Sequence, residues 1–226
     1  VLRIAGLPYQ KGFGGHFHND NSLAVLTDIP GIIVACPSNA ADAPAMLREC
    51  LRMAHEDGRV VVFVEPIALY HTVDLSAPED GQWTAPYVAP WDANEIAFGE
   101  LGLYGNGTQL AIITYGNGYY LSRQAEAEIR ASGIDLRIID LRWLHPLNDQ
   151  AIVEAVAGCR KILIVDESRR SGSLSERLMT LLTEAGRSDA VSRITAEDCF
   201  IPLGPAAELV LPSKASIIDA ALHAVR

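Results

Sequence analysis

Runs of consecutive apolar residues alternate along this chain with stretches where apolar residues recur every three or four positions, which predicts strands and helices in turn. Val1-Leu2-Arg3-Ile4 opens as a strand. After a glycine-rich stretch, Leu23, Val25 and Leu26 give residues 19–27 a short helical pattern that Pro30-Gly31 ends. Residues 32–36 are continuously apolar, as in a strand buried on both faces of a parallel sheet. Pro37-Ser38 stops that strand, and the Ser38 hydroxyl is placed to cap the next helix. That helix, residues 40–56, carries Ala43, Leu47, Cys50, Leu51 and Ala54 as its predicted buried stripe, with Pro44 in the first turn. Residues 60–64 form another apolar strand, closed by Glu65-Pro66, so strand, helix and strand make a right-handed crossover.

Periodicity then fails. Residues 71–94 hold Pro78, Pro86, Pro90, Trp83 and Trp91 in an irregular connector, where a domain boundary is placed. Beyond it, residues 98–103 and 109–114 flank Tyr104-Gly105-Asn106-Gly107, and Asn-Gly predicts a hairpin turn. A helix over 119–131 has Leu121, Ala125 and Ile129 at four-residue spacing, with Gly133 as its terminator. There follow a strand at 136–140, a helix at 149–157 capped by Asn148, and a strand at 162–165. A helix at 174–185 ending at Gly186, a strand at 191–195 and a helix at 217–225 complete the pattern. Such alternation implies an α/β fold with a doubly wound, mostly parallel sheet.

Composition narrows the partners. The formal net charge is −10, and no Lys/Arg cluster exceeds Arg169-Arg170, so a nucleic-acid footprint is not expected. Cys36, Cys50, Cys159 and Cys199 are widely spaced and read as reduced, mostly buried thiols in a cytosol-like compartment. No apolar run approaches the roughly 20 residues of a membrane span, so no membrane role is expected. Because the opening strand has neither an initiator methionine nor a leader before it, the chain reads as a piece of a longer protein.

Candidate chemistry concentrates in Gly12-Phe13-Gly14-Gly15-His16-Phe17-His18-Asn19-Asp20. Three glycines in four residues mark a shaped loop, and two histidines bring proton transfer near neutral pH. Three readings are open: a metal pair with Asp20 as the only evident third ligand, histidines bonded to nearby backbone, or part of an active site. The last is favoured, since a glycine loop leaving the carboxyl end of a strand is where open parallel sheets bind ligands. Tyr115-Gly116-Asn117-Gly118-Tyr119, with Asp140 ending the next strand, partly matches a dinucleotide fingerprint. Leu121 falls at the third glycine's position, so a structural strand-to-helix turn is the preferred reading. Residues 166–172, Asp-Glu-Ser-Arg-Arg-Ser-Gly, could hold an anion at a helix start, but a solvated mixed-charge loop is preferred.

Taken together, spaced motifs resemble a known family. They are Gly14-Gly15-His16-Phe17-His18, Ile32-Ile33-Val34-Ala35-Cys36-Pro37-Ser38, Val62-Phe63-Val64-Glu65-Pro66 and Leu69-Tyr70. Thr114-Tyr115-Gly116, Ile139-Asp140-Leu141-Arg142 with Leu144 and Pro146, and Val165-Asp166-Glu167 continue the series. The chain resembles the beta subunit, or beta half of a fused chain, of thiamine-diphosphate-dependent 2-oxo acid dehydrogenases, in the transketolase group. The resemblance covers the whole chain. It implies that residues 1–75 are the second half of a pyrimidine-binding domain, 76–94 a linker and 95–226 a transketolase carboxy-terminal-like domain.

The resemblance further implies that His18 is catalytic, with His16, Asn19 and Asp20 as substrate-side neighbours. Family members commonly have Ser-Gln where this chain has Asn19-Asp20. Thiamine diphosphate and magnesium are implied for the intact parent and none for this chain alone, which has no Gly-Asp-Gly motif with a downstream Asn. The family's activating glutamate would fall upstream of Val1, so the chain alone is expected to be inactive. Implied partners are an alpha subunit or amino-terminal half and a dihydrolipoyl acyltransferase core, in a homodimer or heterotetramer; if the chain docks a partner through its acidic surface, Asp219 is one expected contact. The implied location is cytoplasmic, or the mitochondrial matrix in a eukaryote. Two other functions stay open: a transketolase or deoxyxylulose-phosphate synthase type of carboligase, and a non-catalytic docking module.

Overall fold

A computed structural model describes residues 1–9, 22–92 and 94–226. Among the described residues the apolar runs become two sheets. In chain order the elements are β1 (Leu2–Gly6), α1 (Leu23–Thr27), β2 (Ile32–Ala35), α2 (Asp42–Glu56) and β3 (Val60–Pro66). After the connector come β4 (Gly102–Tyr104), β5 (Leu110–Thr114), α3 (Gly116–Ala131), β6 (Leu136–Asp140) and β7 (Trp143–His145). The chain continues with α4 (Asp149–Val156), β8 (Lys161–Arg169), α5 (Leu174–Glu184), β9 (Val191–Ala196) and α6 (Lys214–Val225).

The first sheet has the order β1-β3-β2-β7, parallel except for β7. The second has the order β4-β6-β5-β8-β9, parallel except for β4. Strand side chains alternate between faces, and that alternation sorts the core. Ile33, Ala35, Val61 and Phe63 pack with Met46, Cys50 and Met53 of α2. On the opposite face, Val34, Val62 and Val64 join Ala111, Ile113, Ile139 and Ile164 of the second sheet, together with α4 and α5, in one cluster. Leu110, Ile112, Leu136 and Ile138 point the other way, toward Ala125 and Ile129 of α3 and Ile217 and Ala221 of α6. The second sheet therefore carries helices on both faces, a doubly wound arrangement.

Several local expectations are corrected by the fold. The buried stripe of α2 is Asp42, Ala45, Met46, Cys50 and Met53, turned one position from the predicted one, so Leu51 is 54% exposed. Ser38 does not cap α2; the Asn39 side chain accepts from the Ala41 and Asp42 N–H groups, each at 3.0 Å. The predicted hairpin is absent among the described residues, because β4 pairs antiparallel with β6 while β5 lies inside the sheet. Glycine permits that route: a Cβ on Gly107 would lie 2.3 Å from the Leu136 amide nitrogen, so the chain passes tightly over the start of β6. Trp83 of the connector is only 8% exposed and packs edge-on to Tyr120, with ring centres 4.9 Å apart.

Strand β7 had no sequence prediction. It lies after the connector yet pairs with β2, and Cys36 N–H donates to the Arg142 carbonyl at 2.8 Å beside it. Arg142 sits at φ 58°, and its Nε donates to Asp42 at 2.8 Å, tying the end of β6 to the start of α2.

Candidate active site

His16, His18, Asn19 and Asp20 lie outside the described residues. The structure does define where their segment departs and returns. It departs from the carboxyl end of β1, through Leu7, which is fully buried at φ 71°, to Tyr9, whose hydroxyl donates to the Pro212 carbonyl at 2.6 Å. It returns at Ser22, whose hydroxyl accepts from Arg169 Nη1 at 3.1 Å, just before α1.

Both ends adjoin the carboxyl end of β8. There Asp166, Glu167 and Ser168 are 1%, 0% and 4% exposed, so the expected solvated loop is instead an internal part of a strand that runs to Arg169. Glu167 accepts from Asn117 N–H at 2.8 Å and from Asn117 Nδ2 at 2.7 Å, at the amino terminus of α3. Asp166 accepts from Tyr115 Oη, Ser168 N–H and Ser175 N–H at 2.7 to 2.8 Å, the last in the first turn of α5. Each carboxyl group thus sits at the amino terminus of a helix and satisfies an otherwise unpaired backbone donor. Burial pushes the Glu167 carboxyl up to about 8, opposed by its Asn117 hydrogen bonds and reinforced by the Asp166 charge. The same desolvation lifts the Tyr9 and Tyr115 phenols well above their ordinary range, with Asp166 and Glu167 adding to it.

The Tyr115–Tyr119 turn is structural, as preferred. Gly116, at φ 54°, could not carry a side chain, since its Cβ would sit 2.5 Å from both Glu167 Oε1 and Leu7 Cδ1. Gly116 N–H donates to Ser38 Oγ at 2.8 Å, and Ser38 Oγ donates to Asp140 at 2.9 Å. Asp140 is therefore spent on joining the sheets; burial raises it to about 7, and its second oxygen has no partner among the described residues. Ser38 is a linking residue that the sequence reading treated only as a cap.

A cleft of about 610 Å³ opens at the carboxyl ends of β2 and β3, lined by Pro37, Asn39, Leu47, Phe63, Glu65 and Tyr70 among others. Glu65 accepts from Arg3 Nε and from Tyr70 Oη at 2.7 Å on its rim. Asp219 is exposed on α6, far in sequence from these residues. Among the described residues no group of three or more His, Cys, Asp or Glu is placed to hold a metal ion. The amino termini of α3 and α5, where a diphosphate would find backbone donors, are taken by Glu167 and Asp166. The described residues therefore do not fit magnesium and diphosphate, and no step is routed through them.

The 2-oxoisovalerate dehydrogenase subunit beta of Bacillus subtilis is 26% identical over 225 residues, covering 97% of this chain and 64% of that protein. The pyruvate dehydrogenase E1 component subunit beta of Staphylococcus aureus is 27% identical over 227 residues, covering 97% and 65%. The chain spans just under two thirds of the length of these relatives. A solved structure described as a split gene transketolase, inactive beta4 tetramer, superposes with a TM-score of 0.72 at 18% identity, covering 99% of this chain and 66% of that one, a likeness of fold. The family model for the transketolase C-terminal domain matches residues 99–217, more than half of the chain, and the chain belongs to that family.

Proposed function

We infer that this chain contributes to the decarboxylating component of a 2-oxo acid dehydrogenase, with His18 as a catalytic group and an alpha subunit as partner. The observation that carries this reading is likeness to dehydrogenase beta subunits over 97% of the chain. The departure of the His16–His18 segment from the carboxyl end of β1, the edge of a parallel sheet where ligands bind, supports it. Thiamine diphosphate, held by other segments, supplies the carbanion stabilisation that decarboxylation of a 2-oxo acid requires. His18 bonds the substrate oxygen on which charge develops and moves a proton there as the acyl group passes to a lipoyl group. His16, Asn19 and Asp20 are the substrate-side neighbours in this reading.

The test is turnover of 2-oxo acids, with an artificial electron acceptor, by the dehydrogenase assembled with its alpha subunit. His18→Ala is expected to lower kcat by about 10²- to 10⁴-fold. Near-native turnover would remove His18 from the chemistry, and ketol transfer between sugar phosphates without lipoyl acylation would select a carboligase instead.

A further inference from the structure

The cleft of about 610 Å³ beside β2 and β3 lies where open α/β sheets take ligands, and its size falls within the roughly 300–1,000 Å³ of small-molecule sites. Its walls are apolar. Pro37 and Leu47 come from the β2–α2 side, Phe63 from β3, and Leu69 and Trp83 from the connector. Phe63 and Trp83 are 3% and 8% exposed, so packing from behind holds both in place.

The polar side chains on the lining spend their protons inside the protein. Ser38 Oγ donates to Asp140, Tyr70 Oη to Glu65, Thr72 Oγ1 to the Ala68 carbonyl and Thr84 Oγ1 to the Gly81 carbonyl, all at 2.7 to 3.0 Å. Asn39 Nδ2 donates to Asp42 at 2.9 Å. Arg3 is different: Nε is bonded to Glu65, which aims the group, while Nη1 and Nη2 meet no acceptor among the described residues. A guanidinium pinned through Nε presents its Nη edge in a fixed plane, and that edge matches the two oxygens of a carboxylate. A ligand therefore finds apolar walls and one charged donor. A dianion is disfavoured by the Glu65 carboxylate beside Arg3 and by the formal net charge of −10, and an ammonium would meet the Arg3 charge.

We propose that this cleft is a binding site for a monocarboxylic acid with an apolar body, its carboxylate on the Nη edge of Arg3 and its body against Leu47, Phe63 and Leu69. An exposed ion pair contributes little by itself, so the apolar walls supply affinity and Arg3 selects the charge.

The test is fluorine NMR of the full-length protein in its native assembly, labelled with fluorotryptophan and titrated with 3-phenylpropanoate. The three tryptophans report separately: Trp83 lines the cleft, Trp91 is 83% exposed and does not line it, and Trp143 is 1% exposed and reports an intact fold. The Trp83 resonance is expected to shift saturably, with a midpoint at about 1 mM or below. The uncharged 3-phenylpropanamide and the short acid propanoate are each expected to bind about tenfold more weakly, the first for want of charge and the second for want of apolar area. Arg3→Gln is expected to weaken 3-phenylpropanoate about tenfold with the Trp143 resonance unmoved, and Arg3→Lys to fall between it and the wild type. No saturable Trp83 shift up to about 10 mM overturns the proposal. So does equal binding of the amide, equal binding of inorganic phosphate, or wild-type affinity in Arg3→Gln. A response of the separated chain that vanishes in the native assembly also overturns it, because the cleft is then a joint between polypeptides.

Discussion

The two sheets treat the carboxyl ends of their parallel strands in opposite ways. In the second sheet those ends are filled by the chain's own carboxylates, Glu167 on the amino terminus of α3 and Asp166 on that of α5. In the first sheet β2 and β3 end at a cleft of about 610 Å³, and β1 leads into the histidine segment. Backbone donors at a helix start attract an anion from any source, and an internal carboxylate removes them from external use. The helix starts that meet the second sheet are thus closed to an external anion, while the first sheet keeps an open cleft at its strand ends.

The sharpest way to break this contrast is to delete a carboxylate from each side. Glu167→Ala strands the Asn117 donors in a fully buried place and is expected to cost about 3 kcal/mol or more in urea unfolding. Glu65→Ala, on the rim of the cleft beside an Arg3 side chain that is 63% exposed, is expected to cost about 1 kcal/mol or less. Equal costs would mean that the two strand ends are not organised differently.

A second test uses protons. Glu167 is raised from 4.5 to about 8 and Asp140 from 3.8 to about 7, both chiefly by burial. In the folded chain these groups keep protons that the unfolded chain has already released. Their contribution is fully present below the unfolded values and is lost as pH rises through the folded ones. The unfolding free energy from urea titrations is therefore expected to fall between pH 5 and pH 8, at up to about 1.4 kcal/mol per pH unit for each group. Glu167→Gln with Asp140→Asn should flatten that slope. An unchanged slope would place the titration elsewhere.

The smallest effect sharpens the account of the first sheet. Leu51→Lys on α2 is expected to change stability by less than about 0.5 kcal/mol, since Leu51 is 54% exposed and the packed face runs through Met46, Cys50 and Met53. A large loss would restore the stripe that spacing alone predicted.

That stripe shows where legibility ended. The 3.6-residue period identified α2, but Ala43, Leu47 and Leu51 fit the period nearly as well as Ala45, Met46 and Met53. Which row faces inward was decided by Phe63, Val61 and Trp143 beneath it. Likewise, Asn-Gly at 106–107 marked a break between two strands without identifying the strand's partner, because pairing with β6 depends on the chain crossing at Leu136. The histidine segment was legible as chemistry from its glycines and imidazoles. The linking roles of Ser22, Glu167 and Ser38 were not, since each one's bonding partner is distant in sequence.

By itself the sequence determined the parallel strands β2, β3, β5 and β8, because burial on both faces requires only an unbroken apolar run. It also determined stops such as Gly133, at φ 83°, and the Asn148 cap, whose side chain bonds three residues on. Tertiary structure alone decided that Asp166 and Glu167, charged and followed by two arginines, would be buried rather than solvated. Their donors on Tyr115 and Asn117 lie 51 and 50 residues away, and two helix amino termini must converge on one strand end before burying a carboxylate becomes favourable.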